Sequence, residues 1–139
     1  MDIQTALIQL VSPGTTGGTI PTKSFTVTDP PADLGTNKAT VSLSGIVIDY
    51  SGKKVTFDYF ASINYVDTND IQRFAFINGS VTTVVINDLV KINNYTPTVT
   101  AAVTSVYNGI TDAIDFDISY SVNYKKYADT LVELEATIL

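Results

Sequence analysis

Val55-Thr-Phe-Asp-Tyr-Phe-Ala-Ser-Ile-Asn-Tyr65 alternates without a break, with Val55, Phe57, Tyr59, Ala61, Ile63 and Tyr65 on one side. Thr56, Asp58, Ser62 and Asn64 occupy the other side, interrupted only by Phe60. Period-two patterning of this length marks a β-strand with one buried face. Ile114-Asp-Phe-Asp-Ile-Ser-Tyr-Ser-Val-Asn-Tyr124 aligns with it without a gap at an offset of 59, repeating Phe, Asp, Ser, Asn and Tyr at matching places. Phe25–Asp29 faces Val84–Asp88 at the same offset, and Thr40–Ser42 faces Thr98–Thr100 at 58. A supersecondary unit repeated in one chain is expected to seal its apolar face against its copy. The expectation is therefore two pseudo-symmetric four-strand halves, residues 22–79 and 81–139.

Outward from these two stretches, the chain reads as strands and turns. Residues 39–50 form a strand whose apolar phase slips at Ser44-Gly45, as a β-bulge would make it do. Tyr50-Ser-Gly-Lys53 supplies a tight turn into Val55. Ile71–Ile77 is apolar on both sides, which fits a central strand or an interface. Asn78-Gly79 and Asn108-Gly109 read as further turns. Lys23–Thr28, Val81–Ile86, Val99–Tyr107 and Leu131–Leu139 complete an antiparallel β-sandwich or barrel of about eight strands. One helix, in the N-terminal segment or near Asn87–Asn93, is compatible with that reading. Residues 1–21 stand apart as an apolar arm on a Gly/Pro tether, Ser12–Pro21, leaving 22–139 as a single β-domain.

Composition narrows the function. The chain has 139 residues, 45% of them hydrophobic and 16% charged, enough to bury a real core. Its net charge of −6 includes only 8 basic residues, without a basic stripe, which argues against partnership with nucleic acid or an anionic membrane. The first residues lack the pattern of a secretory signal, so cytoplasmic synthesis followed by incorporation into an assembly is expected.

With no histidine and no cysteine, Ser-His-Asp and Cys-His nucleophile systems and the usual zinc ligands are absent. Asp115 and Asp117 lie two apart on one strand face, roughly 6–7 Å from each other. That spacing could serve glycoside hydrolysis, yet solvated aspartates belong on such a polar face. Asp67, Asn69 and Asp70 make one oxygen-rich turn, and Asp112 with Asp115 a second, either of which could take calcium. The EF-hand pattern fails at Ile71, and Asx residues build turns without metal. Gly14-Thr-Thr-Gly-Gly18 lacks the Lys-Ser/Thr of a phosphate loop. Neither an enzyme nor a cofactor is expected.

The remaining signal is apolar and exposed. Ile3, Leu7, Ile8 and Leu10 in the arm, with Phe60, Phe74 and Phe76 on the strands, are the interface candidates. Tyr65, Tyr107, Tyr124 and Tyr127 lie near strand ends, where a ring with a polar tip suits protein or carbohydrate contact. A compact Thr/Asn/Tyr-rich β-domain with an apolar arm resembles the accessory proteins of phage virions, such as tail, neck or head-decoration subunits. That resemblance implies a self-associating structural protein, attached to other structural proteins of the same particle. The alternative expectation is a carbohydrate- or receptor-binding module on the same fold, with calcium as an aid.

Overall fold

The computed structural model of the chain describes residues 2–34 and 38–136, with side chains described over 10–34 and 38–127. Six strands and no helix are found among them: β1 (Asp2–Thr26), β2 (Thr40–Asp49), β3 (Lys54–Val66), β4 (Gln72–Val85), β5 (Thr98–Asn108) and β6 (Ala113–Ala136). They form two antiparallel three-stranded sheets, ordered β1-β6-β5 and β2-β3-β4. The all-β class is as expected; the architecture is a sandwich of open sheets, without barrel closure. Its core is the alternating apolar face seen in sequence. Phe57, Tyr59 and Ile63 from β3 and Phe116, Ile118 and Val122 from β6 are all buried. At about 25 cal/mol per Å² of apolar surface, this shared layer is the main stabilising term.

Six strands replace the expected eight or so because three breaks read from sequence are not breaks. Residues 12–21, expected as a tether, lie inside β1, paired with β6 from Ser12↔Lys126 to Ile20↔Ile118. The glycines there serve packing instead of flexibility. A Cβ on Gly14 would stand 2.6 Å from the Tyr124 ring, and one on Gly18 would stand 2.5 Å from Cζ of Tyr120. Asn78-Gly79 likewise runs straight through β4, with Gly79 opposite Tyr59, whose ring fills the space a side chain would need. A glycine facing a tyrosine across a strand pair thus mimics a turn signal in sequence. Pro13 is tolerated because β1 is an edge strand, and Pro21 because it sits in the bulge between Ile20 and Lys23. The third merger joins Ile114–Tyr124 to the C-terminal segment as β6.

The register of the two sheets is related by the 59-residue offset. Moving β1 by +59 and β6 by −59 converts Pro13↔Lys125, Thr16↔Val122 and Ile20↔Ile118 into Gln72↔Val66, Ala75↔Ile63 and Gly79↔Tyr59, all pairs of the other sheet. Past the bulges, Phe25↔Ile114 becomes Val84↔Val55. Ile48↔Val55 likewise becomes Tyr107↔Ile114. Two backbone bonds obey the same shift: Val27 N–H donates to the Asp112 carbonyl at 2.8 Å, and Ile86 N–H to the Lys53 carbonyl at 2.9 Å. Lys53 and Asp112 are both left-handed, with φ of 55° and 50°.

β1 crosses from the start of the strand order to join β6, whereas β4 follows β3 directly in sequence. The offset of 58 for Thr40–Ser42 is not what the register gives. Thr40 pairs with Ser62 and Thr100 with Ser121, an offset of 60, because β2 carries a bulge at Gly45-Ile46 that β5 lacks. Gly45 adopts φ +59°, and Ile46 is exposed within that bulge, so the inward phase resumes at the half-buried Ile48.

Candidate assembly surfaces

Phe60, Phe74 and Phe76 come together on the outer face of the β2-β3-β4 sheet. Asn78 lies opposite Phe60 and Phe76 opposite Ser62, so Phe60 and Phe76 are diagonal neighbours across the β3–β4 ladder. Their rings stack at 5.7 Å with an interplanar angle of 17°, and Phe74 stacks on Phe76 at 5.7 Å. Phe25 of β1 completes the group at 5.5 Å from Phe76, a member that its place on a different sheet hid from sequence reading. The three β3–β4 rings remain 39–48% exposed. Their counterparts under the 59-residue shift are Ser119, Thr15 and Gly17. The same backbone therefore tolerates polar or absent side chains at these places, and the rings are not demanded by the fold.

The second surface is a two-stranded ribbon. Pairing between β5 and β6 ends at Thr98↔Asn123, whereas β1 and β6 continue together from Val11↔Tyr127 to Asp2↔Ala136. At ~3.4 Å per residue these ten pairs reach about 34 Å beyond the sandwich. No third strand flanks the ribbon among the described residues. Leu10, Val11 and Tyr127 at its base are exposed. The side chains of Ile3, Leu7 and Ile8 lie outside the described residues. The base itself is anchored: the Tyr95 hydroxyl donates to the Asn123 carbonyl at 3.1 Å, and Lys125 Nζ stands 4.7 Å from the centre of the Tyr95 ring. Lys126 and Asp88 approach to 3.9 Å.

The opposite end of the sandwich is closed by Asp67, the turn expected as a candidate calcium loop. Its buried carboxylate accepts from the Asn69 and Ile71 N–H groups at 2.8 and 2.9 Å, and from Arg73 Nε at 2.9 Å. These donors, led by the Ile71 N–H, hold its pKa below the ordinary value. Arg73 also pairs with Asp29 at 2.8 Å, tying the β1–β2 loop to the β3–β4 turn. Both Asp67 oxygens are thus committed to the protein's own donors.

Asp115 and Asp117 accept from Ser24 and Thr22 hydroxyls, each at 2.5 Å, so each carboxylate bridges β6 to β1. Asp112 accepts from the Tyr107 hydroxyl at 2.9 Å, and this bond is the leading reason the Tyr107 pKa is raised. Among the rim tyrosines, Tyr65 and Tyr124 are buried, and only Tyr127 is exposed. No group of acidic residues able to hold a metal ion is found among the described residues. No protein-family model matches this chain, and neither a curated protein nor a solved structure does.

Proposed function

We propose that this chain is a non-enzymatic structural protein that works by self-association, as a component of a larger assembly of the virion type. The observation that carries this reading is the ribbon. Ten strand pairs with both ladder edges unpaired among the described residues are an open template for another chain, and a lone two-stranded ribbon is marginal in water. A partner that covers the ribbon resolves both problems. The exposed Phe60–Phe76–Phe74 stack adds aromatic anchors of the kind interface centres favour.

Removing residues 1–11 and 127–139 together, then measuring solution mass by light scattering, tests this reading. The truncated protein keeps every pair of the sandwich and is expected to stay folded but to fall to the mass of one chain. A full-length chain that is monomeric at high concentration would defeat the proposal. Binding to a carbohydrate array by that monomer would put the glycan-binding module in its place, with the phenylalanine stack as its platform.

A further inference from the structure

The two ends of the sandwich carry opposite charge. At the base end, where the ribbon leaves, the β2–β3 turn, the β4–β5 loop and the start of the ribbon gather Lys53, Lys54, Lys91, Lys125 and Lys126. Only Asp49 and Asp88 oppose these five lysines, a net of +3. At the far end, the β1–β2 loop and the β3–β4 and β5–β6 turns gather Asp29, Asp33, Asp67, Asp70 and Asp112 against Lys38 and Arg73, a net of −3. The ribbon itself holds Asp2, Asp129, Glu133 and Glu135 with no basic residue, a net of −4.

Both ends also expose apolar side chains. Leu10, Val11 and Tyr127 surround the base of the ribbon, whereas Ile71, Phe74 and the 95%-exposed Ile110 lie at or beside the far end. Phe74 and Phe76 sit in the half of β4 next to the far-end turn. The ribbon leaves from the opposite pole, directed away from them.

Resting on the self-association reading, we infer that copies of this chain join head to tail. The base end of one copy meets the far end of the next, and its ribbon runs along the phenylalanine face of that neighbour. Charge complementarity selects a second copy as the occupant. The +3 pole meets the −3 pole at the junction. A ribbon of about 34 Å, laid along a thirteen-residue strand of about 43 Å, brings its acidic tip toward the neighbour's basic base end. Two different surfaces meet in such a contact, so it is heterologous and repeats into a ring or a filament, in contrast to a closed twofold dimer.

Two charge variants test this. Lys54→Gln with Lys91→Glu takes the base pole from +3 to zero, and Asp33→Lys with Asp70→Asn takes the far pole from −3 to zero. Each variant keeps one intact pole. Alone, each is expected to be monomeric; mixed in equal amounts, they should form a two-chain complex and nothing larger. The wild type should form larger species that dissociate as salt rises from about 0.1 M to about 1 M, where the screening length falls from about 10 Å to about 3 Å. Formation of the mixed complex also establishes that both variants fold. If the wild type assembles but neither salt nor either variant changes its mass, the head-to-tail contact is wrong while self-association stands. A mixture that stays monomeric, although melting shows both variants folded, also overturns the head-to-tail contact. A wild type that is monomeric at both salt concentrations removes the two together.

Discussion

Two equivalent strand pairs end in different ways. Beyond Val66↔Gln72, β3 and β4 are joined by a short turn gathered around the Asp67 carboxylate. Beyond the matching pair, Lys125↔Pro13, β6 and β1 have no turn to close them and continue as the ribbon. The outer faces differ as well, with Phe60, Phe74 and Phe76 on one and Ser119, Thr15 and Gly17 on the other. Where the two regions agree, in buried alternation and register, the residues answer to folding. Where they part, one region has acquired something folding does not require. The ribbon and the aromatic face are those departures.

The largest effects should come from breaking what the two regions share. Phe57 and Phe116 are related by the 59-residue offset and almost fully buried. Phe57→Ala and Phe116→Ala should each cost about 3–5 kcal/mol in chemical denaturation. If one proves near-neutral, the two positions are not equivalent.

The next effect sharpens the contrast between the closed and open ends. Asp67→Asn should lower the melting temperature, because the variant keeps an acceptor for backbone N–H groups but loses the charge facing Arg73. The pH dependence has a definite sign. The native carboxyl has a pKa below its usual 3.8, so the unfolded chain takes up this proton first as pH falls. The stabilisation is complete above the ordinary carboxylate range and is lost as pH drops through the lowered native value. Asp67→Asn should flatten that acid limb, leaving a residual slope from Asp49, whose pKa is lowered chiefly by the Gly52 N–H. An unchanged acid melting profile would show that the turn is held by other contacts.

The smallest effect on stability should come from making the faces alike. Phe60→Ser with Phe74→Thr copies the residues at the matching positions of the other sheet. Stability should change by less than about 1 kcal/mol, as expected of exposed sites. Solution mass at a fixed concentration should fall if the rings anchor a neighbour. A large loss of stability with unchanged mass would return the rings to a purely structural role.

Much of the fold was legible because the two central strands are written in strict period two. The buried faces of β3 and β6, the β2 bulge and the Tyr50–Lys53 turn all follow from local pattern. Strand number was not legible, for a physical reason. Gly14, Gly18 and Gly79 look like punctuation, yet each is the small partner of a tyrosine, 110 positions away for Gly14, 102 for Gly18 and 20 for Gly79. Cross-strand complementarity of this kind depends on register, which a single stretch does not encode. Phe60, Phe74 and Phe76 were visible as breaks in polarity. Phe25 was not, because it meets Phe76 only through packing of one sheet beside the other. The commitment of Asp67 to Arg73 and to backbone donors was hidden likewise, since acidic turns for metal and for hydrogen bonding share a composition.

The pairing of β1 with β6 sets a schedule for the chain's birth. Of the six strands β1 is made first and its partner β6 last; Phe25 must wait for Ile114, and Asp2 for Ala136. During synthesis β2, β3 and β4 can assemble in order as neighbours, while β1 remains without its ladder until the end. Long sequence separations of this kind slow folding, because loop closure comes before its reward. A waiting apolar strand is also the segment most open to pairing with the wrong molecule. The polar, proline-bearing run Ser12–Pro21 therefore has a use before the protein is folded: it makes the unpaired strand a poor template for strangers until its own partner arrives.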